Sequence, residues 1–116
     1  MRRFSLVVGM LALVGCATPA SVQRYTGDLV WSFETSAFTT DDGQGPWWLA
    51  GEGEAWRAVV APLARGQRSP WGRLHLVIEG QLSPPGHYGQ LGAYQRQLRV
   101  VRVIASSLAP ATPQGS

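Results

Sequence analysis

Trp56-Arg57-Ala58-Val59-Val60-Ala61-Pro62-Leu63 is the stretch on which the fold turns. Trp56, Val59, Val60 and Leu63 recur at i, i+3, i+4 and i+7, the apolar stripe of a short amphipathic helix. Pro62 brings no N–H and crowds the preceding turn, so an early end or a kink is expected there. Glu52 and Glu54 stand just before the stripe, where carboxylates favour a helix N-terminus. On both sides of this segment the apolar period drops to two.

Upstream, Leu29, Trp31 and Phe33 alternate with Val30, Ser32 and Glu34 along Gly27 to Thr39. Ser36-Ala37-Phe38-Thr39-Thr40 continues extended after a bend. Asp41-Asp42-Gly43-Gln44-Gly45-Pro46 is a turn cluster with a strong Asp-Gly cue. Pro46-Trp47-Trp48-Leu49-Ala50 makes a short third strand. Downstream, Arg65 to Gly72 is a polar loop. Leu74, Leu76 and Ile78 then alternate with His75, Val77 and Glu79 in a half-buried strand through Leu82. Leu98, Val100 and Ile104 share one face of a last strand. Val101 and Val103 lie on the other, so cover on both sides is expected. The order is three β segments, one helix, two β segments. It predicts a mainly β fold, a small five-stranded OB-like barrel with one short helix between strands 3 and 4. A meandering sandwich with a helical turn is the competing architecture.

The chain opens Met1-Arg2-Arg3, followed by an apolar run from Phe4 to Leu13. This reads as a secretory signal over residues 1–15, too short to span a bilayer. Leu13-Val14-Gly15-Cys16 resembles a bacterial lipobox. The resemblance implies diacylglyceryl transfer to Cys16, cleavage after Gly15, acylation of the new N-terminus, and membrane attachment through these palmitate-type chains. An ordinary signal peptide cut after Ala17 or Ala20 would instead discard Cys16. Residues 16–24 read as a tether, 25–105 as the barrel domain, and 106–116 as a disordered tail. Ala17 stands where enteric-type sorting uses aspartate to retain lipoproteins at the inner membrane. By that analogy the address is the outer membrane, facing the periplasm.

Composition narrows the function classes. The formal charge of +3 includes Arg2 and Arg3, so beyond the signal eight arginines face seven acids. Such a balance gives no support for nucleic-acid binding. Cys16 is the sole cysteine, and both methionines, Met1 and Met10, lie in the signal, so soft-metal ligands are nearly absent. No other metal site is expected. His75 and Glu79 share a strand face about 13 Å apart. Asp41 to Glu52 has the length of a calcium loop but puts Gly43, Gly45 and Pro46 at the wrong places. No nucleophile elbow, thiol, zincin motif or phosphate loop is present, so no enzyme, catalytic residue or cofactor is expected.

Ser83 to Tyr94 is long for a connection between two strands and carries glycines at 86, 89 and 92. Its His87, Tyr88 and Tyr94 make it the candidate binding loop, since such amphipathic side chains dominate interfaces. They could equally cap the barrel end. Trp31 and Trp56 are expected to be buried by their periods. Trp47 and Trp48 are adjacent on a strand and must face opposite ways, so one of them lies outside the barrel core.

Ser36-Ala37-Phe38-Thr39, Trp47-Trp48-Leu49, the helix, and Leu76-Val77-Ile78-Glu79-Gly80 together resemble the C-terminal OB domain of NlpE-type envelope lipoproteins. The resemblance implies the barrel and the envelope address, in a family tied to copper and surface-stress signalling. That family also carries an N-terminal barrel with a Cys-x-x-Cys motif, for which this chain has no room. Where the family has a cysteine after the Ser-Phe-Thr segment, this chain reads Thr40-Asp41-Asp42, so no functional cysteine carries over. The expectation is a non-enzymatic, lipid-anchored binding or adaptor module contacting a protein or envelope polymer. An NlpE-like sensor or carrier of a small molecule or metal is the alternative.

Overall fold

The computed structural model describes residues 21–65 and 71–109. The signal, Cys16, most of the tether and residues 110–116 of the tail lie outside them. Five strands and one helix follow in the order β1 (Val22–Ser32), β2 (Thr35–Thr40), β3 (Trp47–Ala50), α1 (Gly53–Ala64), β4 (Gly72–Leu82) and β5 (Gln97–Leu108). The strands close into a barrel in the ring order β1-β2-β3-β5-β4. The β3–β5 seam is parallel and the others antiparallel. A mainly β fold of five strands closed in a ring, with one helix between β3 and β4, is the architecture expected.

Inward residues fill the interior as the alternation requires. Leu29, Phe38, Leu49, Leu74, Leu76, Ile78, Leu98 and Val100 are buried, with Trp47 closing the set. The helix adds Val59 and Leu63 to the same core, and Ala55, Trp56 and Val60 pack at its margin. Each fully buried aliphatic side chain is worth about 1.5–3 kcal/mol over exposure. The helix is also pinned by polar bonds: the Ser106 hydroxyl donates to the Val59 carbonyl at 2.7 Å, and Arg99 reaches Glu52 at 3.0 Å. Pro62 does not end α1 early: it lies inside the helix, which covers the whole predicted stripe. The helix stops at Ala64, and the Arg65 N–H closes it by donating to the Pro62 carbonyl.

The sheet is longer than expected at both ends. β1 starts at Val22, within the predicted tether, because Val22, Gln23 and Arg24 pair with Gln81, Gly80 and Glu79. β5 runs to Leu108, within the predicted tail, because Ser106, Ser107 and Leu108 pair with Leu76, His75 and Leu74. Polar side chains gave no apolar period there, but ladder bonds to a long β4 hold the backbone without one.

Two other expectations are corrected. The stretch from Gly27 to Thr39 is not one bent strand. It reverses at Phe33-Glu34 into a hairpin closed by the Ser32–Thr35 pair, with Glu34 left-handed at φ 67°. Phe33 therefore leaves the inward face of Leu29 and stands 72% exposed at the tip. In β5, two register shifts against β4 leave Val101 and Ile104 without partners in the ladder. Each bulge adds one residue and inverts the parity beyond it. Val103 thus packs toward the core, while Val101 and Ile104 are 49% and 40% exposed. The strand is not covered on both faces, and Ile104 is not on the face of Leu98.

Between β2 and β3 the turn cluster forms as predicted. The Thr40 hydroxyl donates to Asp42 and accepts from the Gln44 N–H at 2.8 Å. Those bonds from Thr40, and then from Gln44, hold the Asp42 carboxyl below the usual carboxylate range.

Candidate functional site

The β2–β3 seam holds only two ladder pairs, Ala37–Trp48 and Phe38–Trp47. Continued, the register would pair Ser36 with Leu49. Instead the buried Ser36 hydroxyl donates to the Leu49 carbonyl at 2.7 Å, a side-chain bond in place of a ladder bond. No β2–β3 ladder pair forms beyond that point. A surface groove of about 400 Å³ opens there, lined on one side by Trp31 and residues 32–36 of the β1–β2 hairpin. Trp48, Gly51, Trp56 and Trp71 line the rest.

The groove is built from indole edges. Trp31 meets Trp56 at 5.7 Å and Trp71 at 5.1 Å, both near-perpendicular. Such edge-to-face contacts fix ring orientation as well as burying area. Trp31 and Trp56 are only half-buried, not the core residues that their periods predict. Trp71 is 39% exposed and stands in the loop read as polar. The Glu34 carboxylate lies at the rim. Phe33, Glu34 and Trp71 were not legible as site residues. No glycine, asparagine or proline marks the reversal that carries the first two, and no period contains the third.

Trp47 and Trp48 divide as adjacent strand residues must. Trp47 is the inward one, 8% exposed, with the Tyr25 ring in a T-shaped contact at 5.6 Å. Burial pushes the Tyr25 hydroxyl up, against a smaller opposing pull from Arg96. Trp48 lies outside the core. It lines the groove, and Tyr94 at 5.3 Å and the Gly89 backbone also pack on it.

The candidate binding loop is an ordered hairpin continuing β4 and β5. Gly86 bonds to Gln95, and Tyr88 and Tyr94 exchange backbone bonds of 2.9 and 3.0 Å. The Tyr88 hydroxyl donates to the Pro84 carbonyl at 2.9 Å. Tyr88 and Tyr94 are therefore half-buried supports, and Tyr94 braces a groove wall. His87 is exposed, as is Leu91, 93% exposed at the left-handed tip. The three predicted residues share the hairpin but do not converge on one cavity.

A second constellation lies on the outer face of β1 and β4. Asp28 pairs directly with His75 across the ladder. The Asp41 N–H donates to the Thr26 carbonyl at 2.9 Å, which carries its side chain beside them. His75 Nε2 lies 3.3 Å from Asp41 Oδ2, and one ligand-type atom from each of the three falls within 4.8 Å of the others. Arg73 approaches Asp28 at 3.8 Å. His75 and Glu79 do not act together. Glu79 is held by Arg24 at 3.0 Å and by Arg102 at 2.9 and 3.1 Å. Those bonds, Arg24 first, keep the Glu79 carboxyl below its usual range.

Among the described residues no helix is long and apolar enough to cross a membrane. No protein-family model matches this chain, and no curated protein or solved structure is significantly similar to it.

Proposed function

We propose that this chain is a bacterial envelope lipoprotein, anchored through lipidated Cys16 at the outer membrane and facing the periplasm. Its barrel is a non-enzymatic binding module for a protein partner. One observation carries the binding half: beside the short β2–β3 ladder lies an apolar groove walled by Trp31, Trp48, Trp56 and Trp71, with the exposed Phe33 in its lining. Exposed aromatic anchors around a cleft are the residue type that dominates protein interfaces. Glu34 is the one charged side chain of the lining, Ser32, Thr35 and Ser36 supply hydroxyls, and the rest is apolar surface for a partner's side chains. The anchoring half rests on the Leu13-to-Cys16 pattern.

The test is photo-crosslinking in the intact envelope. A photoreactive residue at Phe33 should yield one discrete protein adduct, and the same residue at Arg57, on the exposed helix face, should yield none. Adducts from position 87 with none from 33 would move the contact to the hairpin. Separately, Cys16→Ser should abolish palmitate labelling. Parent protein recovered unlabelled from the soluble periplasm would remove the anchor from this reading.

A further inference from the structure

We infer that Asp28, Asp41 and His75 form a binding site for a borderline divalent cation of the zinc class. The cluster is separate from the tryptophan groove and does not depend on its role. Asp28 and His75 are direct cross-strand partners in the β1–β4 ladder, and Asp41 is tied by its own N–H to Thr26. The backbones are thus held by the sheet and the turn beside it, which brings the three side chains together.

The distances suit a small metal shell. Zinc binds imidazole nitrogen and carboxylate oxygen at about 2.0–2.2 Å, which puts neighbouring ligand atoms roughly 3.3–3.5 Å apart in a tetrahedron. His75 Nε2 and Asp41 Oδ2 stand at 3.3 Å, one edge of that figure. The remaining separations reach at most 4.8 Å. Asp28 is 41% and His75 39% exposed at the side chain, so a carboxylate rotation can close the shell from solvent. Water would complete it.

Charge and ligand type choose the ion. Two carboxylates and one imidazole make up the cluster. Arg73, at 3.8 Å from Asp28, is the nearby cation and offsets one of the two charges. One nitrogen with two oxygens suits zinc, cobalt or nickel; calcium and magnesium prefer all-oxygen sets.

The experiment titrates Zn²⁺ into the purified full chain, without a polyhistidine tag, by calorimetry, with the visible spectrum of Co²⁺ as a second reading. One ion should bind per chain, and excess Mg²⁺ should not displace it. His75→Ala and Asp41→Asn should each weaken binding on the order of tenfold or more, while melting like the parent. His87→Ala, at the other histidine of the chain, should change nothing. Arg73→Gln should tighten binding about threefold, the effect of removing one nearby charge in water-like dielectric. No saturation below about 1 mM, competition by Mg²⁺ at equal concentration, or unchanged binding in His75→Ala would each overturn the assignment.

Discussion

Gly89 lies flat against the indole of Trp48: a Cβ built on Gly89 would fall 2.4 Å from two ring carbons. The contact seats the 83–96 hairpin on the barrel and braces the outward tryptophan, which also lines the groove. Gly89 also has φ 72°, which L side chains rarely adopt. Gly89→Ala must therefore push the hairpin off Trp48 or displace the indole. We expect a cost of about 1–3 kcal/mol, read as a lower melting temperature, and faster amide exchange at Tyr88 and Tyr94. Exchange there as slow as in the parent would show that the hairpin does not depend on this contact.

Tyr88 and His87 are neighbours with opposite expected effects. Tyr88→Ala removes a ring packed on Gly86 and the hydroxyl bond to Pro84. It should destabilise by about 1–2 kcal/mol. His87 is exposed, and His87→Ala should stay within about 0.5 kcal/mol. Separate thermal melts of the two single variants distinguish these roles.

The β5 bulges make a pair of isoleucines diagnostic. Ile78 is fully buried, and Ile78→Asp places an unpaired charge in the core, costing several kcal/mol. Ile104 is 40% exposed, and Ile104→Asp should be nearly neutral. If both unfold the barrel, the register shifts are misplaced and simple alternation holds through β5.

Acid stability should depend on Glu79. Its carboxylate is favoured in the folded protein by Arg24 and Arg102, so its folded pKa lies below the unfolded one. Its contribution is complete above the ordinary glutamate value of about 4.3 and fades as pH falls through the lower folded value. The gap in melting temperature between parent and Glu79→Gln should be constant near neutral pH and shrink below about pH 4. A gap that widens on acidification would contradict the sign.

Residue patterns alone determined the element types and most of the core. The 3.6 period of residues 56–63 demands a helix, and strict alternation in Leu74, Leu76 and Ile78 demands a strand with that face buried. Such periods are local, because they follow from helix and pleat geometry. The reversal at Phe33-Glu34 is not local. No turn-forming residue marks it, and it exists because β1 and β2 pair from Ser32–Thr35 onward. The choice of Trp47 over Trp48 for the interior needed the barrel's curvature, since two adjacent aromatics satisfy either parity equally. The β5 bulges, which turn Val103 inward and Ile104 outward, are set by the ladder with β4 and leave no trace in β5's own residues. Distance along the chain hid the Asp28–Asp41–His75 constellation most completely. Those residues lie on separate segments and meet only because antiparallel registers place them on one face, and a ladder register is a property of two strands together, never of one.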